Sequence, residues 1–262
     1  MPMKWPLSTT QMIIIFFATT IFVMLYVVYK VYQHPKAPLT GQESIRKKIV
    51  FFGDSHIHGR IGDDVVMALQ IEMPHLEMVN LGNNGDVAAD LLGRIDGPKK
   101  LSPEQIYILV GSNDVFECQT CQSPPSEFQD QYKKLVESLA PNTKLFVISI
   151  PMIVDDENDF INTKIRQYNK AIASISAIHG VKYLPLYEKM AATIKALKVN
   201  KKPYDRPSFS RAAIVAIRRY LLGQELSSIA TAYGFALTVD GLHFSREGSQ
   251  ILMSLIIPEL PL

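Results

Sequence analysis

The chain has 262 residues, 47% of them hydrophobic, and a formal net charge of +2. That apolar content excludes a disordered chain, and the length beyond a short N-terminal region suits one α/β domain whose core needs no staples. The charge is uneven: Lys4, Lys30, Lys36, Arg46, Lys47 and Lys48 against Glu43 give residues 1–49 a net of +5 and leave about −3 on the rest, which argues against nucleic acid as the main partner and places the basic excess beside a hydrophobic stretch, as a membrane surface favours.

That stretch, Met12–Tyr29, contains no charge, proline or glycine and approaches the ~20 residues that span a hydrocarbon core. Trp5, Tyr26, Tyr29 and Tyr32 lie near its ends, where amphipathic rings favour the headgroup region. A cleaved signal peptide has an apolar region of roughly 7–15 residues and a small-x-small cleavage site. Here the run is longer and ends in VVYKVYQHPKAP, with no such site. An uncleaved anchor over residues 12–32 is expected, after a tail of residues 1–11 and before a polar Pro/Gly linker over 33–47. Taken literally, Lys30, Lys36, Arg46, Lys47 and Lys48 after the segment against Lys4 before it make the domain cytoplasmic; counting only the flanks, Lys4 and the α-amino group match Lys30 and Lys36, so the charge rule leaves the orientation open.

From residue 48 onward strand and helix signals alternate. Strands are expected at Lys48–Phe52, Leu76–Asn80, Gln105–Val110, Lys144–Ile150 and Val181–Leu184. Helices are expected at Asp63–Glu72, Val87–Ile95, Ser126–Leu139, Asn162–His179 and Arg246–Ile257. Continuous apolar strands separated by helices imply an α/β fold with a parallel five-stranded sheet covered on both faces. Ligands of such sheets bind at the carboxyl ends of the strands.

Residues 187–239 exceed what a simple connection needs and carry helical patterns at Tyr187–Leu197 and Ser208–Tyr233. In the second, Phe209, Ala213, Ile217 and Leu221 recur at spacing four and share one side of a helix, with Ala216 and Tyr220 nearby. The plainer expectation is a helix packed on the sheet with Arg211, Arg218 and Arg219 solvated. The sharper one is a basic amphipathic lid resting on an anionic bilayer, with Gly223 and Gly234 as hinges.

Four motifs fall in order at strand ends or near the C-terminus: Phe51-Phe52-Gly53-Asp54-Ser55, Asn80-Leu81-Gly82-Asn83-Asn84-Gly85-Asp86, Gly111-Ser112-Asn113-Asp114, and Asp240-Gly241-Leu242-His243-Phe244. A serine at a strand-to-helix turn presents its hydroxyl and its own N–H at the sheet edge. It becomes a competent nucleophile when a histidine takes its proton. Asp240 and His243 are close enough in sequence for one loop to orient both, so the carboxylate can fix the imidazole tautomer. Gly85 permits close backbone approach, and Asn113 brings a side-chain N–H₂. With the Ser55 N–H these make three donors for an oxyanion. Each motif alone is ordinary turn or cap chemistry; their joint order is what points to a site.

These four blocks resemble the signature blocks of SGNH/GDSL hydrolases, over residues 48–257. The resemblance implies a flavodoxin-like three-layer α/β/α fold and ester hydrolysis without metal or cofactor. It assigns Ser55 as nucleophile, Asp240 and His243 as its partners, and Ser55, Gly85 and Asn113 as oxyanion donors. Gly85 is preferred to Gly82 because it precedes Asp86, as in the family pattern. The first block departs mildly at His56 and His58, which are expected to face solvent at a helix start. The implied substrate is a small-molecule, lipid or glycan ester. An extracytoplasmic domain is expected, because the family is often exported and the Cys118–Cys121 pair, readable as a short disulfide, a redox pair or plain thiols, tolerates oxidation there. A non-catalytic membrane-tethered binding module is the alternative. A metal hydrolase using His56, His58, Asp63 and Asp64 is disfavoured by their spacing.

Overall fold

The computed structural model describes residues 8–34, 46–118, 121, 123–197 and 209–261. The N-terminal tail up to residue 7 and the linker over 35–45 lie outside the described residues.

An N-terminal helix, α1 (Thr9–Tyr32), is closed at its start by a capping box. The Ser8 hydroxyl accepts from the Gln11 N–H, and the Gln11 side chain accepts from the Ser8 N–H at 2.8 Å. It is long and apolar enough to cross a membrane. The body then runs β1 (Lys48–Gly53), α2 (Ser55–His58), α3 (Val65–Glu72), β2 (Glu77–Gly82), α4 (Ala88–Gly93), α5 (Asp96–Lys100), β3 (Gln105–Leu109) and α6 (Ser112–Glu117). It continues with α7 (Ser126–Leu139), β4 (Lys144–Ile148), α8 (Phe160–Ile178), β5 (Lys182–Leu184), α9 (Leu186–Leu197), α10 (Phe209–Tyr220), α11 (Leu226–Tyr233) and α12 (Arg246–Ile256).

The five strands are all parallel, in the order β2-β1-β3-β4-β5. This is the flavodoxin-like order. Ile49, Val50, Phe51 and Phe52 of β1 and Ile106–Leu109 of β3 are buried, because helices cover both faces of the sheet. Phe51, Tyr107 and Phe146 stand in register on adjacent strands and stack with ring centroids 5.2 and 4.5 Å apart, a ladder that fixes strand register through side-chain packing. Helices α3, α9 and α12 pack together in one layer, and α4, α7 and α8 in the other. The chain leaves β1 toward β2 on one side and returns to β3 on the other, so the switch point of the sheet lies at the carboxyl ends of β1 and β3.

The strands and the long helices match the sequence expectation to within two or three residues. The helical pattern at Ser208–Tyr233 is instead two helices, α10 and α11, parted around Gly223 at φ 61°. On α10 the four-spaced stripe turns inward only in part. Ala216 beside it is buried and Ala213 lines a cleft, whereas Ile217 and Leu221 are 42% and 39% exposed and Val215, off the stripe, is buried. Helix α10 packs on α1 and α11, so those helices, and not the sheet, decide which face turns in. Val215 joins Leu226, Ile229, Ala230 and Val239 in a small satellite core.

Candidate active site

At the end of β1 the chain turns directly into α2. Asp54 caps that helix, accepting the His56 N–H at 2.9 Å, which makes Ser55 its first residue. Space at the turn is tight: a Cβ on Gly82 would lie 2.2 Å from the His58 backbone nitrogen.

The C-terminal motif is a closed loop. Thr238 bridges Phe244 in antiparallel sense, and the Val239 N–H donates to the His243 carbonyl at 2.8 Å. Within it, Asp240 Oδ1 accepts the Leu242 and His243 N–H groups at 2.9 and 2.8 Å. Its other oxygen lies 2.7 Å from His243 Nδ1, and His243 Nε2 lies 3.1 Å from Ser55 Oγ. All three side chains are buried. Burial alone would raise the Asp240 carboxyl, but the charge and hydrogen bonds of His243 and the Leu242 N–H outweigh it and hold the group below its usual range. An ionised Asp240 can accept a hydrogen bond from an Nδ1–H, and in that tautomer Nε2 can accept from the serine hydroxyl.

The other two motifs are bound into the same unit. Gly85 sits at φ 85°, in the left-handed region. Asn113 Nδ2 donates to the Asp86 carbonyl at 2.9 Å, which uses one of its two amide hydrogens. Arg94 donates to Asp86 Oδ2, the Leu81 carbonyl and the Gly53 carbonyl at 2.7, 2.8 and 2.9 Å, tying the ends of β1 and β2 to the Gly85–Asp86 turn. Asp114 accepts the Ala88 N–H at the start of α4 at 3.1 Å. Burial pushes its carboxyl up to about 7, with the Ala88 N–H pulling down and the Asp54 charge adding to the rise.

His56 was expected in solvent, yet it is buried. Its Nδ1 lies 3.0 Å from Asp54 Oδ1 and its Nε2 3.1 Å from the Leu242 carbonyl. Both ring nitrogens face acceptors, an arrangement that favours the imidazolium form. Burial works against that charge, but Asp54 and the Leu242 carbonyl overcome it and raise the His56 pKa. His56 therefore pins the Asp240–His243 loop to the Ser55 turn. Its ring lies 5.9 Å from that of His243 and 4.9 Å from that of Phe244. The loop has a second buttress in Val154, a β-branched residue at φ 62° whose N–H donates to the Gly241 carbonyl at 2.9 Å. These contacts join residues far apart in sequence, and no local pattern signals them.

His58 is also buried, and burial first, then the neighbouring His34 and Arg60, lowers its pKa to about 4. Asp64 caps α3 through the Met67 N–H at 3.0 Å, and Asp63 accepts the Ser249 hydroxyl. His56, Asp63 and Asp64 thus go to separate partners and His58 Nδ1 has no hydrogen-bond partner, and among the described residues no group of three or more His, Cys, Asp or Glu converges as metal ligands. Cys118 and Cys121 are disulfide-bonded, with Cα atoms 5.4 Å apart.

Ser55, Gly85, Asn113, Asp240 and His243 line one cleft of about 320 Å³. Its other walls come from α1 and α10 and from Ile61, Asn84, Phe116 and Leu242. The arginines expected in solvent on α10 are engaged. Arg219 donates to the Arg60 and Ile61 carbonyls at 3.0 and 3.4 Å, and Arg218 to Gln224 at 2.6 Å. Tyr220 also donates to the Arg60 carbonyl.

No curated protein sequence matches the chain. In fold it is similar to LAE5, an α/β hydrolase enzyme from the metagenome of Lake Arreo, Spain, with a TM-score of 0.57 and 18% identity over 81% of this chain and 94% of that one. It is similar also to Axe2, an acetylxylan esterase from Geobacillus stearothermophilus, with a TM-score of 0.57 and 19% identity over 81% of this chain and 93% of that one. The family model of the GDSL-like lipase/acylhydrolases matches residues 51–251, a span that holds all four motifs, and the chain belongs to that family as a hydrolase that cleaves esters.

Proposed function

We propose that the chain hydrolyses carboxylic esters through Ser55, His243 and Asp240 by way of an acyl-enzyme. The observation that carries this reading is the unbroken run from Ser55 Oγ to His243 Nε2 at 3.1 Å and from His243 Nδ1 to Asp240 Oδ2 at 2.7 Å. In the first half-reaction Ser55 Oγ attacks the ester carbonyl and its proton passes to His243 Nε2. The developing oxyanion is met by the Ser55 and Gly85 N–H groups and the free amide hydrogen of Asn113. The C–O bond then breaks, and the alcohol leaves with the proton from His243. In the second half-reaction water, deprotonated by His243, repeats the attack and frees Ser55. Asp240 stays ionised throughout and stabilises the imidazolium.

Ser55→Ala tests this. It should lose about three or more decades of kcat in a folded protein and should no longer react with a fluorophosphonate probe that labels the wild type. Retained activity in a pure, folded sample sinks the assignment, and silent labelling of the wild type favours a tethered binding module.

The same reading makes α1 a retained anchor. Its support is that the end of the helix is built into the body. Val27 is buried, Asn84 Nδ2 donates to the Val31 carbonyl at 3.1 Å, and Arg60 Nε donates to the Gln33 carbonyl at 3.1 Å. The Cys118–Cys121 bond favours an extracytoplasmic domain, since disulfides persist in oxidising compartments. Protease protection of the body in intact spheroplasts would reverse that orientation.

A further inference from the structure

We infer that α1, besides anchoring the enzyme, is a wall of the substrate cleft, and that the cleft takes the acyl chain of an ester-bearing amphiphile from the adjoining membrane leaflet. This deepens the proposed hydrolase reading and rests on it.

The last turns of α1 place Val27, Val28, Val31 and Tyr32 on the cleft that holds Ser55 and His243. Opposite them α10 presents Ala212, Ala213 and Ala216, whose small side chains leave a channel between the two helices. Among the described residues, the polar lining of this cleft comes from the catalytic atoms, Asn84 and the oxyanion donors; the walls contributed by α1 and α10 are aliphatic apart from the Tyr32 ring. A cleft of about 320 Å³ lies at the low end of ligand sites. It can hold one acyl arm of a substrate and leaves the remainder outside.

The position of α1 says where that remainder lies. With Val27–Tyr32 docked on the body, Thr9–Tyr26 still covers roughly 27 Å at ~1.5 Å per residue, close to the ~30 Å hydrocarbon core. The side chains of Phe16, Phe17, Phe22 and Leu25 along this part are exposed. Tyr26, Tyr29 and Tyr32, with Lys30 beside Tyr26, then mark the headgroup level, and Val28, Val31 and Tyr32 of the same turns line the cleft. Ile214, Ile217, Leu221 and Leu222 of α10 and its end are also exposed, beside the helix that crosses the bilayer. An aqueous substrate would have no use for an apolar surround at the mouth. An amphiphile whose chain lies along α1 and whose ester carbonyl sits at the interface reaches Ser55 without leaving the leaflet.

The test uses the full chain in nanodiscs and reads the ratio of kcat/KM for p-nitrophenyl laurate to that for p-nitrophenyl acetate. Val31→Trp, which fills the channel from the α1 side, should lower the ratio by about tenfold or more. Val31→Ala, which widens it, should raise the ratio by about threefold. Phe17→Trp, on a part of α1 exposed away from the body, should leave it within about twofold. Because the ratio is internal to each sample, a loss of folded protein cancels. A ratio unmoved in both Val31 variants, or moved equally by Phe17→Trp, overturns the inference. Fluorophosphonate labelling of Ser55 in the same samples separates this outcome from failure of the hydrolase reading, which would show as a wild type that does not label.

Discussion

Replacing His56 with leucine should cost both stability and turnover. The side chain removed makes two buried contacts, at 3.0 Å to Asp54 and 3.1 Å to the Leu242 carbonyl. Asp54 would remain, with its side chain wholly buried and its Oδ2 already without a hydrogen-bond partner. Breaking a buried ion pair from one side costs about 3–5 kcal/mol. For a domain of this size that corresponds to a fall in Tm of roughly 6–20 °C. Turnover falls for a separate reason. Leu242 stands between Asp240 and His243 in a closed loop, so freeing its carbonyl lets the imidazole drift from Ser55. A displacement of ~1 Å can cost about 10²-fold in rate, so kcat should drop by that order with KM little changed. His56→Gln, which keeps one donor, should recover part of both losses.

The pH dependence gives an independent check. The charged groups facing His56 are Asp54 and, farther off, Asp240, with the His243 and Phe244 rings packed beside it. Its folded pKa lies above the ordinary 6.5. Its contribution to stability is therefore complete below about pH 6.5 and is lost as pH rises through the folded value. Wild-type Tm should decline over that interval, and His56→Leu should lack this part of the decline. Chemical denaturation and ester kinetics across the pH range measure both effects. A leucine variant within about 1 kcal/mol of wild type, with kcat within about threefold, would refute the role given to this pair.

Asn113→Ala should lower kcat by about 10²–10³ with little change in KM; a rise in KM at constant kcat would make Asn113 a substrate-positioning residue. Asp114, with its carboxyl pushed up to about 7 from an ordinary 3.8, costs stability progressively as pH rises from about 4 to 7. Asp114→Asn should therefore stabilise the fold by on the order of 2–3 kcal/mol more at pH 8 than at pH 5, as urea denaturation at the two pH values would show; an equal effect at both removes the buried-charge explanation. Gly82→Ala should destabilise strongly, by about 3 kcal/mol or more, because its Cβ would meet the His58 backbone at 2.2 Å; a thermally unchanged variant would mean that α2 moves freely against β2.

The sheet and its covering helices were legible in the sequence, because a parallel strand buried on both faces must be apolar throughout. Runs such as Ile49–Phe52 and Ile106–Val110 have that composition whatever packs on them. The residues proposed as the site can be picked out for a related reason. Ser55, Gly85 and Asn113 each fall within a few residues of a strand end, and Asp240 and His243 share one short loop, so each piece is defined by its neighbours in the chain. What holds the pieces together was not legible. His56 was placed in solvent because a histidine at a helix start usually is; its partner Leu242 is 186 residues away. Arg94 carries no sequence signal of its role, because its three acceptors, on Gly53, Leu81 and Asp86, converge only in the folded chain. On α10 the four-spaced stripe marks the inward face only in part, because periodicity reports that a helix has two sides and not which neighbours it meets. Residues 12–32 were apolar enough to be read as a membrane anchor from composition alone. That the last turns of α1 line the cleft that holds Ser55 was decided only in three dimensions, by where the folded body offers Asn84, Arg60 and α10 for a helix end to dock against.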